Sequence, residues 1–182
     1  MSDGSTVPDA GGLPGAADGF ERLWTPHRMV YVKGDRPTQE QGSGCPFCAA
    51  PDLDDADSLV VHRGEHCYVV LNLFPYNPGH LLICPYRHVP LYVDLTDEET
   101  AEFTALTKAA VRALQAASAP MGFNLGMNQG AVAGAGVAAH LHQHVVPRWG
   151  GDSNFLPIIG RTKALPVLLE DVRTRLVEHW PG

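Results

Sequence analysis

Residues 140–152 read HLHQHVVPRWGGD, with His140, His142 and His144 on alternate positions. A period of two is the spacing of an extended strand, in which residues i and i+2 share a face about 6.6 Å apart. The pattern sets three imidazoles on one side of a strand and Leu141, Gln143 and Val145 on the other. A row of imidazoles can bind a metal, hold phosphate oxygens, or supply a nucleophile. The bland alternative is a solvent-facing strand with ordinary polar residues.

The rest of the chain supplies a sheet for that strand. SLVVHR (58–63) and HCYVVLNL (66–73) are β-branched and apolar, and Gly64-Glu65 between them is a hairpin signal. HLLICP (80–85) is a third strand, reached through the proline-rich loop NLFPYNPGH. Residues 95–120 form a helix. Thr96 and Glu99 make a capping box, and Phe103, Leu106, Ala110, Ala113, Leu114 and Ala117 fall on one face. GFNLGMN (122–128) is a fourth strand, and 140–147 a fifth that Pro147 ends. A second helix is expected over 164–179, with Pro166 in its first turn and Leu165, Leu168, Leu169, Val172 and Leu176 inward. Hairpins followed by helices predict an α+β fold, with about five antiparallel strands and two main helices.

The chain has 182 residues, enough for one domain with a substantial core. Residues 1–19 are rich in Gly, Ala, Asp and Pro and predict a disordered tail, leaving 20–182 as a single domain. In 19–34, Trp24 and Tyr31 are expected to pack a short helix or turn on the body, and 34–44 is a polar loop. The N-terminus lacks the basic and apolar regions of a signal peptide, and no apolar run reaches the ~20 residues of a membrane span, so a cytoplasmic protein is expected. A net charge of −7 argues against nucleic acid as partner. Cys67 and Cys84 lie in apolar runs and read as small buried hydrophobes. Cys45 and Cys48 form a CxxC, which is compatible with a zinc half-site, a redox pair or coincidence. Its place after a loop, outside any strand-to-helix junction, makes the redox option the weaker one.

HLHQHVV resembles the signature of the histidine-triad (HIT) superfamily, with Gln143 departing from the apolar pattern at one spacer. LNLFPYNPGHLLICPYRHVP and FNLGMNQGAVAGAGVAAH resemble the family's strand–loop–strand and its glycine-rich approach to the triad, in the same order. RLWTPHRM and VVPRWGGDSNF are similar to the bacterial diadenosine-tetraphosphate-phosphorylase-like branch. The resemblance implies a HIT-like fold and a nucleotidyl hydrolase or transferase. Its substrate would be a dinucleoside polyphosphate, diadenosine tetraphosphate above all, cleaved with inorganic phosphate or water as acceptor. The alternatives are a hydrolase of nucleoside phosphoramidates or mononucleotide conjugates, and a non-catalytic, zinc-stabilised nucleotide-binding module.

The resemblance makes His142 the nucleophile, forming a nucleotidyl-histidine, and His144 the residue that contacts phosphate or the leaving oxygen. His142 must then present a bare nitrogen, with its other nitrogen donating to a carbonyl. The same resemblance places the substrate phosphates on Asn128, Gly134, Ala135 and Gly136, with Gln129 a neighbouring amide, and the ribose on Asn72. Many relatives carry a hydroxyl or glutamine near Ala135 or Gly136, which this chain lacks. Asn72 also reads as a turn-forming residue before Pro75. Trp149 is a candidate for stacking on a purine, or a core or dimer-interface residue. Arg148 and Lys163 are candidate phosphate or ribose contacts, or ordinary surface charges. Some family members carry a structural zinc, for which the matching ligands here are Cys45, Cys48, His88 and His140. No organic cofactor is expected. Family members are commonly homodimers.

Overall fold

CYVVL and LLICP are apolar at every position, the pattern of strands covered on both faces. A computed structural model of the chain describes residues 44–152 and 166–182 and bears this out. The two runs form β2 (Cys67–Leu71) and β3 (Leu81–Pro85), buried throughout. They join β1 (Val60–Arg63), β4 (Gly122–Met127) and β5 (Gln143–Arg148) in one antiparallel sheet of order β1-β2-β3-β5-β4. The described helices are a single turn, α1 (Pro46–Ala49), the long α2 (Asp97–Ser118) and the C-terminal α3 (Leu169–Glu178). The expected tail, the Trp24 and Tyr31 segment, most of the loop before Cys45, Lys163 and Leu165 lie outside the described residues. No described helix is long and apolar enough to cross a membrane.

Alternation along the strands divides the interior into two layers. Val69, Leu71, Leu81, Ile83 and Val145 meet Phe103, Leu106, Ala110 and Leu114 of α2. On the opposite face Val60, Tyr68, Val70, Leu82 and Cys84 make a smaller cluster with Ala50, next to α1. Cys67 and Cys84 are completely buried, as their apolar neighbours imply. Helix α2 starts where the Thr96 hydroxyl accepts from the Glu99 amide and the Glu99 carboxylate accepts from the Thr96 amide. Such a cap stabilises a helix by about 1 kcal/mol. Glu99 is buried, and the Arg87 guanidinium gripping both its oxygens at 2.6 Å holds its carboxyl below its ordinary value. That grip also fixes the loop carrying His88 to the start of α2.

The first strand and the long helix are slightly shorter than expected, and two boundaries differ in kind. The fifth strand enters the sheet at Gln143, three residues after His140, and continues through Pro147 to Arg148. Before Gln143 the backbone answers to a loop: the Leu141 amide donates to the Val89 carbonyl at 2.7 Å. Pro147 is tolerated because β3 begins only at Leu81, opposite Val145, so its missing N–H falls past that ladder. The second helix starts at Leu169, after Pro166 instead of around it. Leu168 is an exposed extended cap, Glu170 and Asp171 occupy the first turn where the helix dipole favours acids, and only Leu176 is fully buried.

The β1–β2 turn is held by a carboxylate. Glu102 of α2 accepts the amides of Glu65, His66 and Cys67 at 2.7, 2.6 and 2.8 Å. A side chain on Gly64 would overlap this carboxylate, so glycine is required there. Burial alone would raise the Glu102 carboxyl; the three amides outweigh it and leave the group below its usual 4.5. A pKa lowered in the fold means stability that is present above about pH 4.5 and lost as pH falls. Glu102→Ala should cost roughly 2–3 kcal/mol at neutral pH. In thermal melts across pH 7 to 3 the gap between wild type and variant should narrow in acid; a gap independent of pH would contradict the assignment.

Candidate active site and metal centre

The open face of β5 carries His144, Val146 and Arg148, and His142 continues the row just before the strand. His142 and His144 meet edge to face, with ring centroids 5.1 Å apart. The Nδ1–H of His142 donates to the His140 carbonyl at 2.8 Å, the carbonyl bond expected for a ring whose Nε2 is bare. Burial lowers the pKa of His142 and takes that of His144 down to about 4, with His142 adding to the latter, so both rings are neutral at neutral pH.

A fourth histidine, His80, completes the row. It is fully buried. Its Nδ1 accepts from the Tyr76 amide at 3.1 Å and faces Asn72 Nδ2 at 3.2 Å. An amide can only donate, so Nδ1 is bare and the ring proton sits on Nε2. Nε2 lies 2.9 Å from His144 Nδ1, which must accept. His144 therefore carries its own proton on Nε2. In the sequence His80 reads as the first residue of a strand; what marks it is its place after Pro78-Gly79. Gly79 has φ +84, and a Cβ there would press on Leu114, so the turn that aims His80 needs glycine.

Asn72 Oδ1 accepts from the Phe74 amide at 3.0 Å, a turn-forming bond, while its amide nitrogen faces His80. The two neighbouring amides of the glycine-rich segment separate cleanly. Gln129 accepts from the Tyr92 amide, whereas Asn128 lines a cavity of about 320 Å³ together with Tyr76, Asn124, Gly126, His144 and Arg148. Gly134, in the left-handed region at φ +86, closes a 3₁₀ turn (Ala131–Ala133), with buried Ala135 and exposed Gly136 after it. Arg148 pairs with both oxygens of Asp152 and with Asn124 Oδ1, and it holds the Asp152 carboxyl far below the usual range. Asn77 ties this pair to the Tyr76 loop through the Pro147 carbonyl and Asp152. Trp149 turns toward α2, its indole N–H 3.4 Å from the Ser118 carbonyl. Lys163 lies outside the described residues.

Behind the histidine row Cys45, Cys48, His88 and His140 converge, with one ligand atom from each within 4.8 Å of the others. His140 Nδ1 is 3.4 and 3.5 Å from the two sulfurs, and His88 Nδ1 is 3.1 Å from Cys48 Sγ. The His140 Nε2–H donates to the Pro85 carbonyl at 2.9 Å, leaving Nδ1 free to ligate. His88 Nε2 is buried with no partner among the described residues, so the anchor of that ring is at Nδ1. Burial and the Cys45 thiol push the Cys48 thiol up to about 11, and burial takes His140 down to about 4. A bound cation reverses the thiol's preference. The arrangement fits a closed metal centre.

The HIT domain model matches residues 54–151. The chain belongs to the HIT family. It is 49% identical over 171 residues to the AP-4-A phosphorylase of Mycobacterium tuberculosis, covering 91% of this chain and 87% of that one. Among solved HIT structures, a histidine triad nucleotide-binding protein from Sulfolobus tokodaii superposes with a TM-score of 0.61 at 27% identity, covering 74% of this chain and 91% of that one. A zinc-bound histidine triad family protein from Mycobacterium smegmatis gives 0.60 at 25%, covering 75% and 92%.

The hydrogen-bond pattern around this HIT triad makes a spectroscopic prediction. In nitrogen-15 NMR at pH 7, His142 should carry its proton on Nδ1, and His80 and His144 theirs on Nε2. The opposite tautomer at His144 would break the derivation.

Proposed function

We propose that the protein is a phosphorylase of diadenosine tetraphosphate. The observation that carries this reading is the pairing of a bare His142 Nε2 with a protonated His144 Nε2 on one face, inside a fold and sequence half identical to the mycobacterial enzyme. His142 Nε2 attacks the α-phosphorus; a nitrogen–phosphorus bond forms and the phosphorus–oxygen bond to departing ATP breaks. Charge then develops on the imidazole, and the His140 carbonyl, already accepting Nδ1–H, stabilises it. His144 donates its Nε2–H to the leaving oxygen, and His80 sets that tautomer from behind. An oxygen of inorganic phosphate next attacks the adenylyl phosphorus, and the proton of that phosphate passes to the His144 Nε2. The nitrogen–phosphorus bond breaks, and ADP leaves with Nε2 bare again. A covalent intermediate divides one displacement into two. We assign phosphate contact to Asn128 and the Gly134–Gly136 loop, and ribose contact to Asn72. A homodimer joined along β4 fits the edge position of that strand and its exposed Leu125. A cytoplasmic location fits a nucleotide substrate.

The Cys45, Cys48, His88 and His140 set is assigned to structural zinc. Tetrahedral Zn²⁺ with bonds of about 2.3 Å to sulfur and 2.0 Å to nitrogen puts those atoms about 3.5 Å apart, close to the observed separations. When bound, zinc would supply a crosslink between the α1 turn, the His88 loop and the triad.

With phosphate present, diadenosine tetraphosphate should yield ADP and ATP; AMP plus ATP regardless of phosphate would mean hydrolysis instead. His142→Asn should lower kcat by at least about 10³-fold, as loss of a nucleophile does. Retained turnover would refute the covalent route. Protein purified without chelator should hold one zinc per chain, and Cys45→Ser should lose it with a drop in Tm of about 5 °C or more. Metal-free protein with an unchanged melt would refute the zinc assignment.

A further inference from the structure

Of the two residues between the cysteines, Phe47 does more than space them. Phe47 lies in the CPFC turn, and its ring sits against the His142 ring, with centroids 4.8 Å apart and planes at 42°. It also meets His140 edge to face at 5.6 Å. Its backbone is fixed from below by the Tyr68 hydroxyl, which donates to the Phe47 carbonyl at 2.7 Å. The turn is closed by the Cys48 and Ala49 amides on the Cys45 carbonyl, each at 3.1 Å. His142 is thus clamped: Phe47 on one side, His144 edge-on at 5.1 Å, and the His140 carbonyl on Nδ1. Of these, Phe47 alone comes from outside the triad segment, and the elements that deliver it are the two cysteines of the metal centre.

We propose that Phe47 is a positioning residue for His142, and that the Cys45–Cys48 turn makes the orientation and cover of that imidazole depend on metal at the Cys₂His₂ site. A single turn of helix cannot hold itself in water. With all four ligands tied, Phe47 is pressed onto His142 and fixes the plane of its ring. With the ligands released, the turn is held by the Tyr68 bond and its apolar contacts alone, and His142 loses one wall. The link to catalysis rests on the proposed function; the link between Phe47, metal and His142 does not.

The test is carbethoxylation of the full-length, metal-loaded protein by diethyl pyrocarbonate, mapped by peptide mass spectrometry. Exposed His179 serves as the reactive standard and fully buried His80 as the sentinel for unfolding. Phe47→Ala should keep its metal and raise the His142 rate about tenfold, with His80 still protected, as local opening without global unfolding requires. Phe47→Leu should give a smaller rise, about threefold, since bulk is kept and the flat ring is lost. Chelator-stripped wild type should match Phe47→Ala, and stripping that variant should add nothing more. An unchanged His142 rate in metal-replete Phe47→Ala, or in stripped wild type, overturns the proposal. If His80 becomes reactive in the alanine variant, Phe47→Leu decides, and a wild-type rate there overturns it. In turnover of diadenosine tetraphosphate, Phe47→Ala should lower kcat about tenfold with KM unchanged, the signature of a misaligned group and not of lost binding. Absence of turnover in every form would strike the proposed reaction and leave the labelling result standing.

Discussion

One peptide unit carries two duties, and the site depends on it. The carbonyl of His140 receives the His142 Nδ1–H, while the ring of His140 turns the other way into the cysteine pair. The imidazole with the bare Nε2 and the imidazole that faces the cysteines are therefore two residues apart on a segment that cannot rotate freely at either end. Its third hold is the Leu141 amide on the Val89 carbonyl, one residue past His88. The chain does not join the sheet until Gln143 because these three holds claim it. An ordinary ladder would have bonded these backbone groups to β3 and β4, leaving none for His142.

Around that segment the sheet separates support from chemistry. The α2 face is filled with aliphatic and aromatic side chains and gives the strands a rigid backing. Even Gln143, the polar spacer in the triad, has a place there: its amide donates to the Thr107 hydroxyl of α2 at 3.0 Å. The opposite face is apolar only over β1, β2 and β3, and it gives way at β5 and β4 to histidines, asparagines and the Arg148–Asp152 pair. Asp152 and Asn77 lock the end of β5 to the Tyr76 loop, the same loop whose amide fixes the His80 ring. Rigidity of the site is thus spread over elements far apart in the sequence.

Much of this was legible in the residues because it is local. Capping chemistry at Thr96 and Glu99, helical spacing from Phe103 to Leu114, and unbroken apolar runs at β2 and β3 each imply their structure without reference to the rest of the chain. The histidine spacing and the CxxC were legible as chemistry, and the family resemblance linked them to His88. What stayed hidden is what the tertiary fold alone creates. His80 looked like the start of a strand, since nothing local says that its Nε2 will end 2.9 Å from a residue 64 positions later. The late entry of the chain into β5 was masked by perfect alternation, which marks a shared face and not the hydrogen bonds of a ladder. Phe47 gives no local signal, because the CxxC spacing is defined by its cysteines and any residue can stand between them.

The run from Tyr76 through His80 to His144 is a one-way conductor with a blocked end. Each ring accepts at Nδ1 and donates at Nε2, and the first donor is a peptide nitrogen that does not ionise near neutral pH. A proton surrendered by His144 at the front cannot be made good from the rear. Turning the polarity round would require both rings to exchange tautomers and would set a His80 Nδ1–H against the amide hydrogens of Tyr76 and Asn72. Replenishment must come from the solvent side, through the same opening that admits substrate and releases product. Whatever restores that proton must arrive at the open face, and an incoming acceptor that carries a proton can deliver it there.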